Sequence, residues 1–185
     1  LAAQSLVRSL VMELLARTHD ERALDKLWQG LPAQQRLQTE IAAHAATRWL
    51  ELGGEPTKAR AWLQPVWEKL LAASSGRTIN DMHRLVQVLE RSFKDAPSAD
   101  ARQWLARVEA AQQSRPSDAH LQYLAGMLCL RHQLWGKSQN LLAQSVKGLP
   151  DASLQRHAWS ALAELAEQRQ DAVAALQAWK QAAKT

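Results

Sequence analysis

Residues 119–150, AHLQYLAGMLCLRHQLWGKSQNLLAQSVKGLP, limit the possible folds more than any other stretch of the chain. Large apolar residues (Leu124, Leu128, Leu134, Trp135, Leu141, Leu142, Val146) return at helical spacing. Gly126, Ser138 and Ser145 interrupt them, as small residues must where two helices of a hairpin approach closely. The pattern predicts two short amphipathic helices, a turn near His132 and Gln133, and a stop at Gly148 and Pro150. Such a hairpin cannot cover its own apolar faces and needs a neighbour. The neighbour is legible, because Val108 to Leu142, Ala111 to Ser145 and Pro116 to Pro150 all repeat at about 34 residues.

That grid resembles the tetratricopeptide (TPR) repeat. It predicts an all-α, right-handed α-solenoid of TPR-like hairpins running over 1–185. The segments are an N-terminal helical pair at 1–31, a repeat at 33–73, a divergent one at 78–115, the best match at 119–150 and a last one at 153–185. Thr18 and Glu21 have capping-box spacing and predict the start of the second helix. Residues 33–53 read as one helix, ended by Gly53-Gly54-Glu55-Pro56. Pro65 falls inside the following helix and predicts a kink or a lost hydrogen bond. Ala73-Ser74-Ser75-Gly76 reads as a linker, Thr78 as a helix cap and Ala96-Pro97-Ser98 as a turn. After Pro150 the phase slips, which predicts a longer connection at 150–155. Trp49, Trp62, Trp104, Trp159 and Trp179 lie on apolar helical faces and read as core.

Composition agrees with this class. Ala, Leu, Gln, Arg and Glu dominate, with only 7 Gly and 6 Pro in 185 residues. The net charge of +5 is spread thinly, with no run of about five like charges, so nucleic acid is not an expected partner. One cysteine, Cys129, excludes an intrachain disulfide. No apolar run reaches the length of a membrane span. The helical pattern begins at once at Leu1, so any membrane anchor is expected to lie outside this chain.

Two stretches point to a narrower family. Leu24-Asp25-Lys26-Leu27-Trp28-Gln29-Gly30-Leu31-Pro32 and Leu128-Cys129-Leu130-Arg131-His132-Gln133-Leu134-Trp135-Gly136-Lys137 resemble two segments of the HemY family. The likeness extends in helix order over the whole chain. It implies the TPR domain of a Gram-negative inner-membrane protein linked to haem biosynthesis and porphyrin metabolism. An N-terminal anchor absent from this chain would hold the domain, on the cytoplasmic side. Its partners would be proteins or peptides, haem-biosynthesis enzymes among them.

In TPR proteins the concave face is lined by first helices. Here its positions fall on His120, Tyr123, Met127, Leu130 and Arg131, on His44, Arg48 and Glu51, and on His157 and Glu164. An aromatic ring, a flexible methionine and arginines suit a peptide groove. The expected function is therefore a non-catalytic interaction scaffold. One alternative is a generic TPR adaptor or co-chaperone unrelated to haem. Another is a haem or porphyrin carrier using Cys129 and His132, which lie about one helical turn apart. Cys129 falls on a packing position and C-x-x-C-H is missing, so no cofactor is expected. The other histidines are scattered, so no metal site is expected either. No nucleotide, hydrolase or metalloprotease motif occurs.

Overall fold

The computed structural model describes residues 2–73, 78–94 and 98–185. Among them are eleven α-helices and no strand. The helices gather into two compact units, residues 1–95 and 96–185, divided inside the segment read as one repeat over 78–115. The linker reading at Ser74, Ser75 and Gly76 and the turn reading at Ala96 and Pro97 lie outside the described residues.

Residues 1–95 comprise α1 (Ala2–Ala16), α2 (Glu21–Gly30), α3 (Ala33–Arg36), α4 (Thr39–Glu51), α5 (Pro56–Ala72) and α6 (Ile79–Ser92). All five other helices pack on α4. Its alanines permit this, for Ala42, Ala45 and Ala46 are buried beside Ile41 and Trp49 and leave room for backbones on several sides. Gly53, at φ 88°, ends α4 in the left-handed region that favours glycine. A Cβ on Gly54 would fall 2.3 Å from the Trp49 ring. That ring is fixed in turn by its Nε1, which donates to the Glu55 carbonyl at 2.9 Å. Arg60 is buried in α5, where its guanidinium donates to the Ser92 carbonyl and lies 4.6 Å from the Phe93 ring centroid.

Two local expectations change here. Asp20, not Thr18, caps α2, accepting from Ala23 N at 2.8 Å. The Thr18 hydroxyl instead donates to the Leu15 carbonyl behind it. The helix expected over 33–53 is broken, with Gln38 extended between α3 and α4. Lys69 on α5 donates to the Leu37 carbonyl at 3.1 Å, so a tertiary contact satisfies an acceptor that helix continuation would have used. At Pro65, α5 continues, and the expected loss of a hydrogen bond is met there because proline has no N–H.

Residues 96–185 comprise α7 (Ala99–Ser114), α8 (Ala119–Arg131), α9 (Trp135–Ser145), α10 (Ala152–Gln168) and α11 (Ala172–Lys184). Helices α8 and α9 form one hairpin and α10 and α11 the next; α10 also packs on both helices of the first, and α7 on α8. The crossing of α8 and α9 depends on Gly126. A Cβ there would fall 2.8 Å from Leu142 Cγ and 3.2 Å from Leu142 N. Ser138 donates across the same gap to the Gly126 carbonyl at 2.8 Å. Every residue from His120 to Cys129 is buried, so α8 is covered all round.

The phase slip lies within α10 rather than before it. Asp118 and Asp151 cap α8 and α10, and Gln122 and Gln155 reach back to the Pro116 and Leu149 carbonyls, both at 2.6 Å. The two helix starts thus keep one spacing. The left-handed residues after the helices, Gln133 and Gln170, are further apart. The difference is one extra turn, since α10 has 17 residues and α8 has 13.

Gly126→Val should cost about 1–3 kcal/mol through overpacking at the α8–α9 crossing. Urea denaturation of the variant measures this, and an unchanged midpoint would contradict the crossing described.

Candidate partner-binding surfaces

The expected groove residues divide by burial. Glu51, His157 and Glu164 are exposed, while His44, Arg48, Leu130 and Arg131 are half-buried. His120, Met127 and Tyr123 are buried, with Tyr123 at 0 % exposure. This corrects the expectation that these three contact a partner. Helix α8 has no free face over these positions, since every residue from His120 to Cys129 is buried. Arg48 already has structural work, since its Nε and Nη2 donate to the Thr18 carbonyl at 3.1 and 2.8 Å. That leaves Nη1 near Glu51 Oε2 at 3.4 Å. His44 Nε2 and Arg131 Nε are buried without a hydrogen-bond partner among the described residues.

Cys129 is buried, and its thiol donates to Glu109 Oε1 at 3.6 Å. Burial and the Glu109 charge push its pKa from 9.0 up to about 11, against an opposing pull from Lys137. Lys137 Nζ lies 2.6 Å from the same carboxylate oxygen, a hydrogen bond that raises the lysine's own pKa. At neutral pH Cys129 is therefore a protonated thiol, not the thiolate that ligates iron or metal. His132 is the C-terminal cap of α8 and half-buried. No group of three or more metal-capable side chains occurs among the described residues.

A cleft of about 480 Å³ opens between α2, α3 and α5. Trp28 and Trp62 line it as a stacked pair, with centroids 4.9 Å apart and planes at 23°. Trp49 supports Trp62 from behind at 5.1 Å. Lys58 Nζ lies 4.8 Å over the Trp49 ring and 2.7 Å from Asp25 Oδ2, which also accepts from Gln29 Nε2 at 3.0 Å. The second oxygen, Asp25 Oδ1, is buried without a hydrogen-bond partner among the described residues. Arg36 and Leu37 form the wall that the break after α3 creates, and Ala61 and Pro65 face them from α5. Because Pro65 has no N–H, the Ala61 carbonyl loses its usual helical donor.

Trp62 is buried as expected, but sequence reasoning missed this cleft because it read Pro65 only as a kink or a lost hydrogen bond and not as part of a surface. A proline exposed on the same helical face as a tryptophan was the available signal. The pairing of Asp25 with Lys58 crosses a whole repeat and had none. Trp179 also departs from expectation. It is 39 % exposed and donates from Nε1 to Glu167 Oε1 at 2.7 Å.

Two solved structures share the fold. MamA 41-end from Desulfovibrio magneticus RS-1 superposes with a TM-score of 0.60 at 17% identity, covering 97% of this chain and 93% of that one. The MamA RS-1 ArsTM double mutant gives 0.59 at 16% identity, covering 97% and 92%. Both are TPR-like all-helical proteins, which places this chain in the TPR-like solenoid class. No protein-family model matches the chain. The search of curated proteins gave no match. No helix among the described residues is long and apolar enough to cross a membrane.

The Cys129 environment predicts a pH dependence of stability. Unfolded, the thiol loses its proton near 9.0, whereas folded it keeps it to about 11. Between those values the unfolded state binds fewer protons, so stability falls as pH rises. Urea midpoints measured across that window should decline in the parent and decline less in Cys129→Ala. Parallel declines would contradict the assignment.

Proposed function

We propose that this chain is a non-catalytic scaffold that holds segments of partner proteins. The observation that carries the reading is the cleft at Trp28 and Trp62. Trp28 and Trp62, buried at 5 % and 8 % exposure, give it an apolar floor, with a few polar groups at its edges, the composition of an anchor pocket rather than of a reaction centre. Arg36 can meet a carboxylate, and the Ala61 carbonyl can accept from a partner's amide. No nucleophile with an adjacent base lines it, and the reading assigns no cofactor. The TPR-like fold of the neighbours supports a binding role in the same direction. Glu51, His157 and Glu164, with the half-buried His44, Arg48, Leu130 and Arg131, supply further contact positions on first helices.

The finer reading is that this is the TPR domain of a HemY-like protein, linked to haem biosynthesis and held at the bacterial inner membrane through an anchor outside this chain. Its support is the pair of segments at 24–32 and 128–137. Haem-biosynthesis enzymes are the partners that reading would give. The haem-carrier alternative gains no support from a buried, protonated Cys129.

Ala61 is exposed on the rim of the cleft, so Ala61→Arg fills the space at small cost to the fold. Affinity capture with the parent and with Ala61→Arg tests the scaffold reading. Partners retained by the parent should be lost by the variant while its circular dichroism is unchanged. Equal recovery would place binding elsewhere.

A further inference from the structure

We propose that the groove between α9 and α11, floored by α10, docks an acidic, leucine-bearing peptide segment of a partner protein. The proposal rests on the scaffold reading but concerns a different surface, wholly within residues 96–185. The groove encloses about 530 Å³, room for one or two large side chains. Its floor is Trp159 and Leu162, both half-buried, beside Ala166 and Ala178, whose small side chains leave depth for a leucine.

The charge around that floor has one sign. Arg169, Lys180 and Lys184 line the groove, and among the described residues no carboxylate does. Lys180 and Lys184 lie one helical turn apart, a like-charge spacing that is unfavourable by itself. Neither has an ion-pair partner among the described residues. The Arg169 guanidinium is held at the mouth by one hydrogen bond, from Nη1 to Gln139 Oε1. Glu167, on the neighbouring turn of α10, is engaged by Trp179 Nε1 at 2.7 Å and is not part of the lining.

The preceding junction shows what such a site looks like when the chain neutralises it internally. Between α7 and α9, Glu109 takes Lys137 Nζ at 2.6 Å, with Cys129 against the same carboxylate. Between α9 and α11, α9 offers the neutral Gln139 and the cations remain. Carboxylates supplied by a partner complete the pattern, and leucines occupy the apolar floor. A nucleic acid fits less well, because three cations surround an apolar floor with a single indole for stacking. A second copy of this chain would bring its own +5 charge to a basic groove.

The test is anisotropy titration of the whole chain at low salt with four labelled probes. They are a glutamate- and leucine-rich peptide, its twin with lysine for glutamate, its twin with serine for leucine, and oligo-deoxythymidine. The acidic leucine peptide should bind at least about tenfold more tightly than the other three, and added salt should weaken it. Lys180→Glu combined with Lys184→Glu changes two exposed positions and should lower that affinity about tenfold or more. Equal binding of either peptide twin, tighter binding of the oligonucleotide, or an unaffected double variant would overturn the proposal. If it falls while capture sensitive to Ala61→Arg persists, the scaffold reading stands and only this site is lost.

Discussion

Two helices of a hairpin close fully where one of them has almost no side chain, and Gly126 is that place in residues 96–185. The Leu142 side chain fills the space where a Cβ would stand, and Ser138 bonds across the gap. Once α9 closes on α8 there, α7 and α10 cover the rest of α8 and bury it on every side. Residues 1–95 meet the same constraint with alanines, since Ala42, Ala45 and Ala46 let all five companion helices approach α4. Small residues at crossings and large ones between them make these helical pairs depend on their neighbours.

The binding clefts follow from where that closure stops. The break at Gln38 turns α3 away from the line of α4 and leaves the stacked Trp28 and Trp62 with an open side. Between α9 and α11 the alanines that allow close approach meet no third helix among the described residues, and the space remains. The two clefts differ in their electrostatics. At the first, Asp25 holds Lys58 at 2.7 Å; at the second, Lys180 and Lys184 have no counterpart. One fold therefore offers two surfaces of different selectivity.

Much of this was legible in the residues, and what was not legible has definable causes. Gly126, Ser138 and Ser145 marked the hairpin crossing, and Gly53-Gly54-Glu55-Pro56 marked a turn whose second glycine the Trp49 ring requires. The break after α3 left no local signal because a lysine in another helix satisfies the freed carbonyl. The extra turn of α10 was misplaced into the connection, because periodicity reports a change of phase and not where the added residues lie. Tyr123 was expected as a contact residue from its position in the repeat, which does not reveal that neighbours cover every side of α8. Trp179 was mistaken for core because its spacing matches an apolar face, whereas its ring is part-exposed and Glu167 accepts from its indole.

The central physical claim is that one helix in each unit, α4 and α8, is the member on which the others close, while α1 and α11 rest on it or on its partners. Exposed leucines at Leu6, Leu10 and Leu14 on α1, and exposed Val173 and Leu176 on α11, belong to the same account. Native-state amide hydrogen exchange measures the claim directly, because local opening reports how many neighbours hold each helix. Exchange should be slowest at the centres of α4 and α8 and, among the helices, fastest in α1 and α11. Protection that is even along the chain, or greatest in the outer helices, would contradict it.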